Sequence, residues 1–452
     1  MLRELRDIVN INHKDMNLPV KQQVLSEILR EMDIADISRT TIRQGVAVAN
    51  ALEKASGEKF VHLEIGVPGL PACQIGIDAQ KAALDRGVAA IYPAIGGIPE
   101  LKENASRFIK AFVNQDIPGE CIVPTVGSMQ GCNTLILECS QMQDGKDTIL
   151  YINPGFAPHM LQAKIAGAKI EAFDIYNFRA DKLHDKLESY MSKGNIAAMV
   201  YSNPNNPAWV CLTDDELKTI GELATKYDVV VLEDMAYMCM DFRSDKSHPY
   251  EAPFQPTVSR YTDNYVMMMS GSKIFSYAGE RIALVAFSPK LYHRDYPRLR
   301  ELYGMGRMGD NFVLTYLYAA SSGTSHSAQC ALAAMMGAAA DGYDFVHDLH
   351  EYEKRAHQSK EIFLRHGFEI VYDKDLDQAV GDGFFYTVGY HGMDCEKLLS
   401  LLMRCGIAAI TLNTTGSEQP GARISVSALK TQELMQQLDE RLAMFEQLAN
   451  EN

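Results

Sequence analysis

The stretch Ile196-Ala197-Ala198-Met199-Val200-Tyr201-Ser202-Asn203-Pro204-Asn205-Asn206-Pro207 is followed by a helical pattern over 214–227. Then comes Val229-Val230-Val231-Leu232-Glu233-Asp234-Met235-Ala236-Tyr237. The two apolar runs are short, do not strictly alternate, and stop at turn or polar residues. Buried strands of a parallel sheet read that way, because both of their faces are covered.

The same rhythm extends outward, with further runs over 148–152, 265–269 and 282–287. Strands alternating with helices imply an α/β layer architecture. The predicted fold is a three-layer large domain with a mostly parallel sheet, plus a smaller α+β domain. A chain of 452 residues is too long for a single core, which agrees with two domains. Residues 1–58 read as a helical extension, with the clearest periodicity over 20–34. A Gly-Pro cluster over 66–71 is loop chemistry. The predicted large domain is 59–320, with 59–88 linking to the small domain. Beyond 320, a helical stretch over 329–365 leads to alternating segments over 384–388 and 422–426. That change of character predicts the small domain over 321–452, with the N-terminal helices able to pack on it.

Composition narrows the function. The net charge is -15, which argues against a nucleic-acid partner. No apolar run has the length of a membrane span, and residues 1–50 contain no secretory leader pattern. The nine cysteines are scattered and contain no CxxC pair, so they read as reduced thiols of a cytoplasmic protein without a zinc site.

Ligands of open α/β sheets bind beyond the carboxyl ends of the strands. Those ends carry Asn206, then Asp234 with Tyr237, then Ser270-Gly271-Ser272-Lys273 and Arg281. An amine nucleophile, an acid, a phenol and phosphate-grade donors are thus supplied by three consecutive strand ends. Singly, each has a bland reading. Asn-Pro-Asn-Asn-Pro is a common turn, an Asp after a strand is a common helix cap, and Phe156 or Tyr92 alone would be packing residues. Their occurrence together, in order, points to chemistry.

The set resembles the class I/II aminotransferases of the fold-type I pyridoxal-phosphate family, over about residues 63–426. The Ser-x-Ser-Lys motif with an arginine eight residues beyond the lysine carries most of the resemblance. It implies that Lys273 binds pyridoxal 5'-phosphate as an imine. It implies further that Asp234 pairs with the ring nitrogen, and that Tyr237 and Asn206 bond the ring 3-oxygen. Ser270, Arg281, Ser128 and Met129 would hold the phosphate, the last two within Gly127-Ser128-Met129-Gln130-Gly131 at a helix start. Phe156 would lie on the ring face. Tyr92 would reach the phosphate of a neighbouring subunit, with 321–327 also crossing a homodimer interface. Arg423 would clamp the substrate carboxylate, with Gly66 lining that end of the site and Asn206 nearby.

Chemistry explains the residue types. A carboxylate keeps the ring nitrogen protonated, donors on the 3-oxygen lower the imine pKa, and a released lysine amine can carry the Cα proton. A planar arginine reads a carboxylate through two hydrogen bonds. The implied reaction moves an amino group from an α-amino acid to a 2-oxo acid, with no metal. A β-eliminating lyase is the rival on the same residues, and a non-catalytic cofactor-binding regulator a more remote one. The Ser270-x-x-Lys273 spacing also occurs in penicillin-binding acylases, but their downstream motifs are missing. No cation occurs over 318–322, where dicarboxylate-specific relatives place one, so a neutral or aromatic donor is expected over aspartate; Arg307 is the nearest upstream arginine. Two departures stand out. Ala208-Trp209 replaces Thr-Gly after the Asn-Pro turn, and Ala283 replaces a glycine after Arg281.

Overall fold

A computed structural model describes residues 18–451. The helical reading of 1–17 lies outside those residues. Seven strands form the main sheet: β1 (Ile122–Val126), β2 (Thr148–Asn153), β3 (Lys169–Asp174), β4 (Ile196–Ser202), β5 (Val230–Asp234), β6 (Tyr265–Ser270) and β7 (Ile282–Phe287). Their order is β1-β7-β6-β5-β4-β2-β3. Pairings from β3 through β6 are parallel, whereas β7 runs antiparallel to both β6 and β1.

Local chemistry accounts for these elements. All seven residues of β4 and all five of β5 are buried, which explains their continuous apolar pattern. The intervening helix, Asp214–Lys226, starts with a capping box between Thr213 and Glu216. It carries three acidic residues in its first turn and Lys226 in its last, matching the helix dipole. Two strands escaped the sequence reading. β1 contains Pro124, which is tolerated because β1 lies at the sheet edge. β3 is the other edge, and its exposed charged start hides the pattern. Helix Gly127–Cys139 buries Leu135 and Ile136 in one cluster with Val200, Leu232, Val266, Met268 and Val285.

The chain divides into two units, and the division differs from the expected boundaries. The larger unit is Leu70–His350 with Lys374–Gly381. The smaller takes in the described part of Met1–Gly69, then Glu351–Asp373 and Asp382–Asn452. The break after 320 is wrong because helix His326–Ala340 is core of the larger unit. It packs on helices Gln74–Asp85 and Pro99–Val113, with Met335 seated where Gly76 has no side chain. The expected long helix over 329–365 is two helices, His326–Ala340 and His350–Arg365, separated by a turn at Gly342 with φ +106°. Residues 20–56 are helical as expected, but they belong to the smaller unit rather than forming a separate extension. The link falls at Gly69/Leu70, so 70–88 lies wholly in the larger unit.

In the smaller unit, Glu369–Ile370, Phe385–Gly389, Ala422–Ser425 and Ile410–Thr411 form an antiparallel sheet. Residues near the start of the described chain join this unit, Val20 N–H donating to the Arg404 carbonyl at the end of helix Cys395–Arg404 and Thr411 Oγ1 of the sheet donating to the Ser38 carbonyl. In the larger unit, the two-stranded segment within Lys374–Gly381 is clipped down by Asp375. That carboxylate accepts from Arg179 and Arg243, each at 2.9 Å, and from the Cys211 N–H.

Glu233 gives the larger unit a testable pH signature. It is fully buried, accepting from Tyr201 Oη at 3.1 Å and from Thr257 Oγ1. Burial nevertheless pushes its pKa from 4.5 up to about 7. A raised carboxyl pKa means that its favourable contribution is complete below 4.5 and is lost as pH rises through 7. Glu233→Gln should therefore gain stability relative to wild type between pH 5 and pH 8, by no more than roughly 3 kcal/mol. Urea unfolding at both pH values tests this; an identical difference at both would refute it.

Candidate active site

Strands β1 to β6 end where β7 begins, so one end of the sheet gathers the chemistry. Gly127 follows β1, Phe156 lies three residues past β2, and Asn206 lies four past β4. Asp234 ends β5, Ser270 ends β6 with Lys273 three residues on, and Arg281 immediately precedes β7. Ser202 and Asp234 are register partners, and so are Val126 and Ile282. The sheet itself therefore fixes the spacing of these groups.

Asp234 is the electrostatic centre. Its carboxylate is buried, accepts from the Ala236 N–H at 3.1 Å, and lies 3.7 Å from His159 Nε2. Burial pushes the Asp234 pKa up to about 6, the Ala236 N–H offsetting part of the effect. Burial pushes His159 down to about 4, so the imidazole is neutral near pH 7. The carboxylate thus lies beside a neutral imidazole. The sequence reading passed over His159. Its signal is its place three residues after Phe156, whose ring it meets edge-on at 5.2 Å.

Beside this acid, Asn206 Nδ2 donates to Tyr237 Oη at 3.4 Å, with both residues buried. The Asn206 N–H donates to Ser202 Oγ, fixing the turn. Ser270 Oγ accepts from the Ser272 N–H, which orders the turn carrying the half-buried Lys273.

A helix start and a guanidinium meet at the same end. Helix Gly127–Cys139 starts at Gly127, whose φ is +67°, and its first amides have no partners within the helix. A Cβ on Gly127 would lie 2.3 Å from Arg281 Nη2, so glycine is required where the guanidinium meets the backbone. Gln162 Nε2 donates to the Met129 carbonyl at 2.8 Å and steadies the half-exposed Ser128–Met129 turn.

Three further expected residues lie outside the ends of the main-sheet strands. Tyr92 is 92% exposed and lines a surface groove with Val88, Ser321 and Thr324. Gly66 and Arg423 belong to the smaller unit, where both meet Phe385. The buried Arg423 guanidinium lies 4.5 Å from the Phe385 ring centroid and donates to the Glu64 carbonyl. A Cβ on Gly66 would lie 2.9 Å from the same ring. Phe385 was missed in the sequence, although it sits on the strand paired with that of Arg423.

An amine on a strand-end turn, a buried acid beside a neutral imidazole, and a guanidinium against a glycine at a helix start define a class of protein. It is an α/β enzyme built for a phosphorylated cofactor with a basic ring nitrogen and a carbonyl. The chain belongs to the aminotransferase class I and II family, which matches residues 58–442. Enzymes of that family use pyridoxal phosphate to move amino groups from amino acids to 2-oxo acids.

A probable aspartate aminotransferase of Methanocaldococcus jannaschii is 28% identical over 278 residues, 61% of this chain and 67% of that protein. An aspartate aminotransferase of Pyrococcus horikoshii is 31% identical over 253 residues, 55% of this chain and 60% of that protein. Among solved structures, a double mutant of Thermus thermophilus aspartate aminotransferase superimposes with a TM-score of 0.72. It is 17% identical, covering 90% of this chain and 96% of that one, and shows the shared fold. Family and relatives favour amino transfer over β-elimination or a non-catalytic role. Among the described residues, no helix is long and apolar enough to cross a membrane.

Proposed function

We propose that this chain is a homodimeric cytoplasmic aminotransferase whose amino donor is a neutral or aromatic amino acid. The carrying observation is the strand-end cluster of Lys273, Asp234, Tyr237, Asn206 and Arg281. The cofactor, when bound, supplies an electron sink for the substrate Cα. Lys273 holds it covalently, and its freed amine then moves the proton at Cα. Asp234, buried among neutral groups, holds the proton on the ring nitrogen, and His159 backs that carboxylate. Tyr237 and Asn206 donate to the ring 3-oxygen, and Phe156 covers one ring face. Ser270, Arg281 and the first amides of Gly127–Cys139, with Ser128 and Met129, take the phosphate. Arg423 reads the substrate carboxylate, and Gly66 leaves it room.

Tyr92 serves a second copy of the chain. Its 92% exposure, beside the exposed Ile91 and Leu84, suits a surface that another protomer covers. The cytoplasmic assignment rests on nine free thiols.

The donor preference rests on charge. Arg307, the nearest upstream arginine, is ion-paired with Asp310 at 2.8 Å. Burying a second carboxylate without a paired cation would cost several kcal/mol. Aspartate is the rival, because the relatives described above carry that name. Adding amino acids one at a time, without an oxo acid, decides both points through the cofactor spectrum. A stoichiometric conversion to the amine form, faster with neutral or aromatic donors, is expected. Continuous release of pyruvate and ammonia would make it a lyase, and a half-reaction fastest with aspartate would overturn the preference.

A further inference from the structure

Trp209 is the sole tryptophan of the chain and stands where the family pattern has glycine. Its φ is +62°, a left-handed conformation that glycine adopts freely and a bulky side chain adopts only under strain. The turn is tightly specified. Asn205 Oδ1 accepts from the Ala208 N–H at 2.9 Å, and the Trp209 N–H donates to the Asn205 carbonyl at 3.0 Å. Asn205 Nδ2 holds the Pro154 carbonyl, and Asn203 Oδ1 accepts from the Leu212 N–H. Asp375 takes the Cys211 N–H. The surrounding bonds therefore impose the conformation.

Trp209 is fully buried, and its ring meets the Tyr237 ring edge-on, with centroids 5.5 Å apart and planes at 70°. Edge-to-face aromatic pairs at this separation are favourable and directional. The Tyr237 phenol is the group within 3.4 Å of Asn206 Nδ2.

We propose that Trp209 is a positioning residue, bracing the Tyr237 ring so that its phenol is aimed at the cofactor 3-oxygen. The inference rests on the role given to Tyr237 under the proposed function. Loosening that donor should raise the pH at which the bound cofactor's imine band loses its proton.

The experiment titrates that band in holoenzyme of wild type, Trp209→Phe, Trp209→Gly, Tyr237→Phe and the double variant Trp209→Phe/Tyr237→Phe. Thermal unfolding is recorded in parallel. Tyr237→Phe should raise the midpoint, and each Trp209 variant should raise it by roughly half a unit or more. The double variant should match Tyr237→Phe alone, because the brace has no phenol left to aim. Trp209→Gly should relieve the backbone while losing the brace; if it does not fold, Trp209→Phe carries the test. Trp209 variants that lower the melting temperature but leave the midpoint unmoved would overturn the inference while Tyr237 keeps its role. A midpoint unmoved by Tyr237→Phe would overturn that role and the inference with it.

Discussion

Lys273→Ala is expected to lower amino transfer by about 10⁴-fold or more, the upper range for one acid–base group, because the same amine also attaches the cofactor. The lysine lies on the turn closed by the Ser272 N–H to Ser270 Oγ bond, three residues past the end of β6. Among the described residues, no other lysine follows the end of any of strands β1 to β6 at that distance. Borohydride reduction of the wild-type holoenzyme, followed by peptide mapping, should place the cofactor on Lys273. Finding it on another lysine would remove the central assignment. Lys273→Ala should still bind cofactor noncovalently, since the residues proposed to take the phosphate and Asp234 remain, so loss of activity and loss of binding can be told apart.

The second large effect concerns two aspartates six residues apart. Asp234→Ala is expected to lower activity by about 10³-fold, as for loss of one preorganised electrostatic partner. Asp228→Ala should leave turnover within about threefold and instead cost about 1 kcal/mol of stability, a surface-pair magnitude. Asp228 lies at the opposite end of β5, where Arg294 grips it with bonds of 2.5 and 2.7 Å. That bidentate pair holds its pKa down at about 2. Asp234 shows the reverse, a pKa pushed up to about 6 by burial. Its carboxylate therefore destabilises the cofactor-free protein increasingly as pH rises between 3.8 and about 6. Cofactor-free Asp234→Ala should be at least as stable as wild type at pH 8, although it is far less active. Equal activities for the two variants would sink the role of Asp234. A large stability loss in cofactor-free Asp234→Ala would contradict the electrostatic account.

Glu233 and Asp234 show how adjacent residues acquire different uses. Both are buried carboxyls with raised pKa values. Glu233 points to Tyr201 and Thr257, which satisfy it within the fold. Asp234 has a backbone N–H and a neutral imidazole, which leave it ready for a cation. Successive strand residues face opposite sides of a sheet, so one position separates a structural acid from a chemical one.

By itself, the sequence determined the α/β class and the order in which the reactive groups appear. Those signals are local, because each group lies within a few residues of an apolar run whose burial makes it a strand. The tertiary structure alone decided which strands are neighbours, that β7 runs against the rest, and that Arg281 thereby meets Gly127. It also moved helix His326–Ala340 into the larger unit, took Lys374–Gly381 out of the smaller one, and set His159 beside Asp234 and Trp209 against Tyr237. These pairings join residues far apart in the chain through packing, register and shared burial, and a local hydrophobic pattern is the same whichever distant partner fills the space beside it.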